Sequence, residues 1–318
     1  GNIAVQQSWG AYKDLDIMSN GNANEAHQFA NGAKADLDIE QIGDRNYAKQ
    51  KFEGSFGFVP GNTGIIEQTG NANESYQYMQ DAKREVYLKA DIDGNRNYSY
   101  QKAEGDYNTS KVYVDGNSND VKTYQDGINN STRIDINGDV YGHVGDANRN
   151  DIDVDQRGDF NTFNFGIPRG DVGGDANIVN VDQDGNGHLH RISTDGSGNN
   201  IRLDIDGNVG GSQYAGNKGD WGFNDAAPVW SETSDNNTFY LKQDGVQNFA
   251  TGAVAGDAND IDIRQWNTGN MVGTAWHNMD GVIINGNRNT VDIRQMGAGD
   301  AATVNIVGNG NTSTTIQQ

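Results

Sequence analysis

Short stretches in which apolar and polar residues alternate recur along the chain, and most of them end at a glycine. Residues 37–41 (LDIEQ), 261–265 (IDIRQ) and 291–295 (VDIRQ) show this alternation. A period of two with many Ile and Val residues is typical of a strand that buries one face, and Gly with Asn supplies the turn that follows. The pattern therefore predicts an all-β fold, with a strand in nearly every stretch and no helix of note.

The glycines recur every eleven residues over long parts of the sequence, for example at Gly10, Gly21, Gly32, Gly43 and Gly54. Strands rich in Ile and Val alternate with more polar ones, so the repeating unit is strand-turn-strand-turn in 22 residues. A unit this short buries its inner face only by stacking on its neighbours. We therefore predict a two-sheet parallel β-solenoid of about 13 rungs, each made of two 11-residue halves.

The repeat runs through the sequence without a change of composition, which predicts a single repeat domain over residues 1–318. Its spacing slips in three places. We expect loop insertions near residues 55–63, 166–174 and 209–234.

Two sets of residues are expected to hold the repeats together. Glutamines at recurrent inward positions can donate to the same amide in the rungs above and below, so they form a predicted core ladder. These glutamines are Gln28, Gln41, Gln50, Gln68, Gln77, Gln101, Gln156, Gln183, Gln243, Gln265 and Gln295. The predicted turn residues pair a glycine with the asparagine three residues later. They are Gly43 with Asn46, Gly70 with Asn73, Gly158 with Asn161, and Gly245 with Asn248.

Composition excludes several classes of protein. Gly accounts for 43 of 318 residues, about twice ordinary usage, and Leu is rare, so a helical bundle is excluded. The net charge of −21 at pH 7 and the lack of a basic cluster argue against nucleic acid and anionic membranes as partners. No apolar run is long enough to insert into a membrane, and without Cys there is neither a disulfide scaffold nor a thiolate metal site.

Acidic residues just before the turn glycines are candidate ligands for calcium. The candidate ligands are Asp93, Asp115, Asp184 and Asp206. An EF-hand starting at Asp91 is excluded, because Lys102 occupies the twelfth position, which requires an acid. Calcium-binding β-rolls have a different, nine-residue repeat. Solvated surface carboxylates are one interpretation, and stacked carboxylates relieved by a divalent ion are the other. No further cofactor is expected.

His188 and His190 lie on one face of a predicted strand, which is compatible with a metal site, but the sequence offers no third ligand at a fixed spacing.

A solenoid must either cap its terminal rungs or expose unpaired backbone groups. The first strand starts at once and the last runs to Gln317, so Ile3, Val5, Ile316 and Gln317 are the predicted contacts between subunits.

Four stretches of the sequence, residues 41–48, 68–73, 156–161 and 243–250, resemble the curlin repeat, Q-x-G-x-x-N-x-A. Curlins are secreted bacterial subunits whose strand-loop-strand repeats form functional amyloid fibres of the biofilm matrix. The resemblance implies an extracellular structural protein that assembles with copies of itself, with accessory proteins for secretion and nucleation. It implies no enzymatic activity.

Two alternatives stay open at the level of sequence. One is a surface adhesin or matrix protein of the same architecture, which would bind a partner through residues 209–234. The other is a carbohydrate-active parallel β-helix, in which Asp151 and Asp153 would do acid-base chemistry and Trp221 and Trp230 would stack on sugar rings. The equal, glycine-closed halves of the repeat argue against this enzyme.

Overall fold

Strands are the only regular elements in the residues that the computed structural model describes. These residues are 1–9, 15–31, 35–53, 61, 63–80, 87–134, 148–165, 176–194, 197–207, 218–223, 235–273 and 281–318. Within these ranges no helix is long and apolar enough to cross a bilayer. The chain divides into two compact units, Gly1–Gln156 and Arg157–Gln318. The prediction of a single domain stays a prediction.

The described part of the first unit contains fifteen strands, the last of which extends one residue past the boundary. They are β1 (Ile3–Val5), β2 (Met18–Asn20), β3 (Glu25–His27), β4 (Glu40–Ile42), β5 (Tyr47–Glu53), β6 (Glu67–Asn71), β7 (Glu74–Gln80), β8 (Tyr87–Lys89), β9 (Ile92–Asn95), β10 (Tyr98–Glu104), β11 (Thr109–Lys111), β12 (Val114–Asn117), β13 (Asp120–Asp126), β14 (Ser131–Arg133) and β15 (Asp151–Arg157). The long sheet of this unit has the order β1-β3-β5-β7-β10-β13-β15. Two smaller sheets have the orders β2-β4-β6-β9-β12 and β8-β11-β14.

The described part of the second unit contains fourteen strands. They are β16 (Thr162–Phe165), β17 (Ile178–Gly185), β18 (Leu189–Thr194), β19 (Asn200–Gly207), β20 (Lys218–Phe223), β21 (Thr238–Val246), β22 (Phe249–Ala255), β23 (Asp260–Thr268), β24 (Met271–Val272), β25 (Val282–Asn285), β26 (Thr290–Gln295), β27 (Ala301–Ala302), β28 (Val304–Val307) and β29 (Thr312–Gln317). Its long sheet has the order β17-β19-β21-β23-β26-β29. The facing strands follow the order β16-β18-β20-β22-β24-β27, and β25 pairs with β22 and β28.

Neighbouring strands in both units are parallel, and their register follows the repeat. Tyr98 in β10 lies opposite Asp120 in β13, one full repeat further along the chain. The strands between them pair in other sheets, so the chain leaves the long sheet and returns to it one position further on. All-β structure with long parallel sheets is thereby confirmed, because each strand is paired with the strand about one repeat away.

Longer register offsets mark extra residues between paired strands. The offset is 27 residues between Asn46 and Asn73 and 38 between Asn199 and Asn237, across two of the predicted insertions. Further offsets of 31 residues, from Asn119 to Asn150, and 30, from Asn259 to Asn289, were not expected from the sequence.

The predicted insertions lie largely outside the described residues, with one exception. Residues 218–223, inside the segment 209–234, form β20, which pairs with β18 and β22. The sequence reads KGDWGF there, and the absence of Ile, Val and Leu hides this strand from pattern analysis.

Part of the first unit has more than two strands per repeat. Between β7 and β10 the chain forms two short strands, β8 and β9, which belong to different sheets. Asp91 lies between them with a φ of 84°, a left-handed conformation that interrupts the strand. The prediction of two equal strands and two sheets is therefore wrong for this part of the chain.

Small and branched apolar residues form the core between the facing strands. Ala26 and Ala48 of the long sheet in the first unit pack against Ile39 and Ile66 from the opposite side, and all four are buried. Side chains alternate along each strand, as in β10, where inward residues are buried and outward residues are half-buried. Buried polar side chains, mainly Asn and Gln, accompany these apolar residues in the interior.

Candidate functional site: stacked polar ladders

The turns bring the backbones of successive repeats very close together. The predicted turn glycines Gly43, Gly70, Gly158 and Gly245 all have positive φ. A Cβ atom built on Gly70 would lie 1.8 Å from the backbone oxygen of Gly94 in the next turn. Glycine is thus required for the approach of neighbouring turns as well as for the backbone conformation.

The asparagine of each predicted turn has a different role from the one expected. The residue before it adopts the left-handed conformation, for example Arg45 with a φ of 61° and Ala72 with a φ of 58°. Asn46 and Asn73 are themselves buried, each with 1% exposure. Their prediction as turn-forming residues is therefore incomplete, because their side chains connect successive strands.

Buried asparagines form a continuous ladder along the first unit. The Asn46 backbone N–H donates to Asn24 Oδ1 at 2.9 Å, and Asn73 N–H donates to Asn46 Oδ1 at 3.0 Å. Asn46 Nδ2 donates forward to the backbone oxygen of Gly70 at 2.8 Å. The members of this ladder are Asn24, Asn46, Asn73, Asn97, Asn119 and Asn150. Each asparagine thus satisfies buried backbone groups of adjacent turns.

The second unit repeats this arrangement. Asn259 N–H donates to Asn237 Oδ1 at 2.9 Å, and Asn289 N–H donates to Asn259 Oδ1 at 2.9 Å. The ladder consists of Asn177, Asn199, Asn237, Asn259, Asn289 and Asn311. On the facing side, Asn248 receives the N–H of Asn270. Asn161 and Asn248, predicted as turn residues, both belong to facing-side turns.

An exposed ladder of Asn and Asp side chains runs beside the buried one. It uses the residue after each turn glycine: Asp44 N–H donates to Asn71 Oδ1 at 2.9 Å, and Asn71 N–H donates to Asn95 Oδ1 at 3.0 Å. In the second unit, Asp235 and Asp257 occupy the same place, although Asp235 follows a serine in the sequence. This ladder was missed from the sequence, although an Asn or Asp at that position in most repeats is its signal.

The glutamines connect strands in the interior. Gln243 donates to Gln265 Oε1 at 2.7 Å, Gln265 to Gln295 at 2.8 Å, and Gln295 to Gln317 at 2.9 Å. Gln265 Nε2 also lies 3.0 Å from the backbone oxygen of Phe249 on the facing strand β22. Both amide hydrogens are therefore used, one along the sheet and one across the core.

In the first unit the glutamines occupy more than one column. Gln41 donates to Gln68 at 3.1 Å in the sheet that contains β4 and β6. Gln77 donates to Gln101 at 2.8 Å in the long sheet, but Gln101 is in register with Thr123. The next glutamine, Gln125, donates to Gln156 at 3.2 Å. The remaining ladder residues are buried too: Gln28, Gln50 and Gln183.

His188 takes the place of an asparagine in the facing-side ladder of the second unit. Its N–H donates to Asn161 Oδ1 at 3.1 Å, and its Nε2 lies 3.1 Å from the Asp184 backbone oxygen, as an asparagine amide would. Burial lowers the pKa of His188 to about 4. His190 is also fully buried. Among the described residues, no three His, Cys, Asp or Glu side chains come together as metal ligands.

The calcium candidates lie in two columns on different units. Asp93 is in register with Asp115 in the first unit, and Asp184 with Asp206 in the second. Burial, together with the charges of Asp244 and Asp184, raises the pKa of Asp206. The arrangement places like charges one strand apart, which is compatible with either solvation or an ion between them.

The acidic pair of the enzymatic alternative lies in the described part of the chain. Asp151 and Asp153 are two positions apart on the exposed side of β15. Burial raises the pKa of Asp153, and the neighbouring carboxylates Asp151, Asp155 and Asp120 add to this, while Lys122 opposes it. Trp230 lies outside the described residues, as does most of the segment 209–234.

The predicted contacts between subunits lie in the terminal strands. Ile3 and Ile316 are each 54% exposed, and Val5 is half-buried. Gln317 ends the glutamine ladder and donates to the Ala301 backbone oxygen at 2.9 Å. Among the described strands, β1 pairs only with β3 and β29 only with β26.

The family model described as the curlin associated repeat matches residues 286–318, which contain β26 to β29. No curated protein matches the chain.

Proposed function

We propose that this protein is a curli-type structural protein that assembles end to end into extracellular fibres of a bacterial biofilm matrix. The protein would be secreted, with other copies of itself as its main partners and accessory proteins for export and nucleation. The curlin repeat match over residues 286–318 supports this class, whose members are extracellular or surface-associated. The fibres would contribute to cell adhesion, as fimbriae do, and the protein would have no catalytic activity.

The architecture in this proposal is a β-solenoid of about 13 rungs. It is supported by the return of the chain to the long sheet after one repeat and by the Gln265 amide that bridges to β22. A rung that closes in this way presents the same hydrogen-bonding groups on its upper and lower edges.

The observation that carries the proposal is that each turn accepts the N–H group of the next through an asparagine side chain. Asn311, in the turn before β29, donates to Asn289. At the other end of the chain, Asn2 Oδ1 already accepts the N–H of Asn24 at 3.1 Å. A second copy that sets its Asn2 on Asn311 would continue the ladder with the same geometry. Strand edges without a partner among the described strands, such as those of β1 and β29, recruit further strands.

Electron microscopy and fibre diffraction of the purified 318-residue chain test the proposal. We expect unbranched fibres with a meridional spacing of about 4.7 Å. Because the net charge is −21, assembly should be faster in salt and near pH 4, where the repulsion between subunits is reduced. Monomers that persist under all these conditions, seeded or unseeded, would contradict the proposal and favour the adhesin.

A pair of variants at the edge formed by β29 distinguishes assembly through the buried asparagine ladder from nonspecific association. Asn311→Ala removes the ladder acceptor that a second copy would use, whereas Asn309→Ala changes the exposed ladder two residues earlier. We expect slower elongation for Asn311→Ala and near-normal elongation for Asn309→Ala, measured by thioflavin fluorescence with wild-type seeds. Deletion of residues 312–318 should abolish elongation at that end. Equal rates for the two single variants would argue against ladder continuation.

A further inference from the structure

Three tyrosine rings form a row on the outer face of the long sheet in the first unit. The ring centroids of Tyr47 and Tyr76 are 5.2 Å apart at an angle of 41°, and those of Tyr76 and Tyr98 are 5.9 Å apart at 48°. The rings meet diagonally, because Tyr47 is in register with Glu74 and Tyr76 with Lys49. All three tyrosines are half-buried, so part of each ring is accessible from solvent.

The middle ring of the row has a proton acceptor in place. The Tyr76 hydroxyl donates a hydrogen bond to the Glu74 carboxylate. Burial and this hydrogen bond raise the pKa of Tyr76, so the phenol stays protonated at neutral pH. Removal of an electron from this ring can therefore be accompanied by transfer of its proton to Glu74.

We propose that Tyr47 and Tyr76 are a site of oxidative cross-linking, where the two rings join as dityrosine when a haem peroxidase and hydrogen peroxide supply the oxidant. Each phenol gives up one electron and one proton, and one H2O2 is reduced to two H2O. The two phenoxyl radicals form a carbon–carbon bond between ring positions ortho to the oxygens. The hydrogens on those carbons then move to the oxygens, so both phenols are restored and the chain has lost two hydrogen atoms.

Other tyrosines of the sheets have cations next to their rings. The Lys102 ammonium lies 5.8 Å from the ring centroid of Tyr78 and 4.8 Å from that of Tyr124. In the second unit, the guanidinium groups of Arg202 and Arg264 lie 5.7 and 5.4 Å from the Tyr240 ring. A cation over a ring stabilises its electron-rich neutral form and opposes loss of an electron. Tyr98, the third ring of the row, also has a cation beside it, the Lys122 ammonium at 5.7 Å from its centroid. The chemistry should therefore concentrate on Tyr47 and Tyr76.

The bond would join β5 to β7 covalently. Paired positions on these strands are further apart in sequence than one repeat, and the chain between them includes residues outside the described part. A covalent connection across that segment would resist unfolding of the sheet because it closes a loop in the unfolded chain. The inference does not depend on fibre formation, since both rings belong to one chain.

Peptide mapping after treatment with horseradish peroxidase and limiting H2O2 tests the proposal. Trypsin places Tyr47 in the peptide 46–49 and Tyr76 in the peptide 52–83. We expect a species that joins these two peptides with the mass of two hydrogen atoms missing, together with dityrosine fluorescence in monomeric protein. The yield per chain should not depend on protein concentration.

Four variants, one of them a control, test whether the contact between Tyr47 and Tyr76 produces the cross-link. Tyr76→Phe and Tyr47→Phe should remove the linked peptide, while the matched control Tyr240→Phe should leave it unchanged. Glu74→Gln, which retains both phenols, should lower the yield because the proton acceptor is lost. Circular dichroism checks that each variant is folded. Absence of the linked peptide in folded wild-type protein, or equal yield in Tyr76→Phe, would overturn the proposal.

Discussion

The side-chain oxygen of Asn97 accepts the backbone N–H of Asn119 from the next turn at 2.9 Å, and Asn97 Nδ2 donates to the backbone oxygen of Gly116 at 2.8 Å. One buried side chain therefore satisfies two backbone groups of a neighbouring repeat. The exposed residue Asn95, two positions earlier, makes similar contacts with its side chain: its Oδ1 accepts the Asn71 N–H at 3.0 Å, and its Nδ2 donates to Asn117 Oδ1 at 2.9 Å.

This difference in burial predicts different costs for two alanine substitutions. Asn97→Ala leaves the Asn119 N–H and the Gly116 oxygen without that partner inside the protein, which should lower the free energy of unfolding by about 3 kcal/mol. Asn95→Ala should cost less than about 1 kcal/mol, because water replaces the lost contacts. Urea denaturation of the two variants measures both values. Equal losses would show that burial does not determine the strength of the ladder.

The close approach of turns predicts that Gly70 cannot be replaced. Gly70→Ala puts a methyl group 1.8 Å from the Gly94 oxygen, so the sheet must separate there, at a cost of at least about 3 kcal/mol. Gly269 has a φ of 73°, but no atom lies within 4 Å of the place that a Cβ would occupy, so Gly269→Ala should cost only about 1 kcal/mol. Thermal unfolding compares the two. A similar loss in both would attribute the requirement to φ alone.

The buried imidazole of His188 predicts a pH-dependent contribution to stability. Its pKa in the folded protein is about 4, below the ordinary value of 6.5, so the unfolded chain binds more protons between these two values. The contribution is fully present above pH 6.5 and is lost as the pH falls towards 4, by about 3 kcal/mol in total.

His188→Asn places the usual ladder residue at this position and removes the titrating group. The stability of the variant relative to wild type should therefore increase as the pH is lowered from 6.5 to 4. Chemical denaturation at several pH values measures this difference. If the free energies of unfolding of the variant and the wild type differed by the same amount at every pH, His188 would not be the titrating group.

In the second unit, the stacked carboxylates Asp184, Asp206 and Asp244 repel one another, so removal of the middle charge should stabilise the protein. The pKa of Asp206 is raised by burial and by the charges of Asp244 and Asp184, so its ionised form is disfavoured in the folded protein. Because the folded pKa lies above the unfolded one, this unfavourable contribution is largest at neutral pH and disappears below the unfolded pKa.

Asp206→Asn should therefore raise the midpoint of thermal unfolding at pH 7, and the effect should shrink in high salt. After allowance for solvent screening the gain is about half a kcal/mol or less. The same measurement with millimolar calcium tests the ion hypothesis: stabilisation of wild type by calcium that is lost in Asp206→Asn would identify a site. A lower midpoint for the variant at pH 7 would contradict the repulsion.

The sequence by itself determined most of the strands, their parallel stacking and much of their register. Alternation within each stretch fixes which side chains point inward, because neighbouring residues of a strand face opposite sides. The repeated glycine interval then fixes which stretches lie side by side. Residues such as Ile39 and Gln243 could therefore be assigned to the interior from pattern alone, and both are fully buried.

Only the tertiary structure decided what the polar side chains do. The asparagine of each turn is buried because the residue before it, Arg45 for example, takes the left-handed conformation, which no local sequence rule required. His188 acts as an asparagine because its imidazole nitrogen reaches the same carbonyl position. The contact of Tyr47 with Tyr76 depends on a strand register that spans an insertion. These contacts join chain segments far apart in sequence, so they follow from how the repeats stack and not from any one repeat.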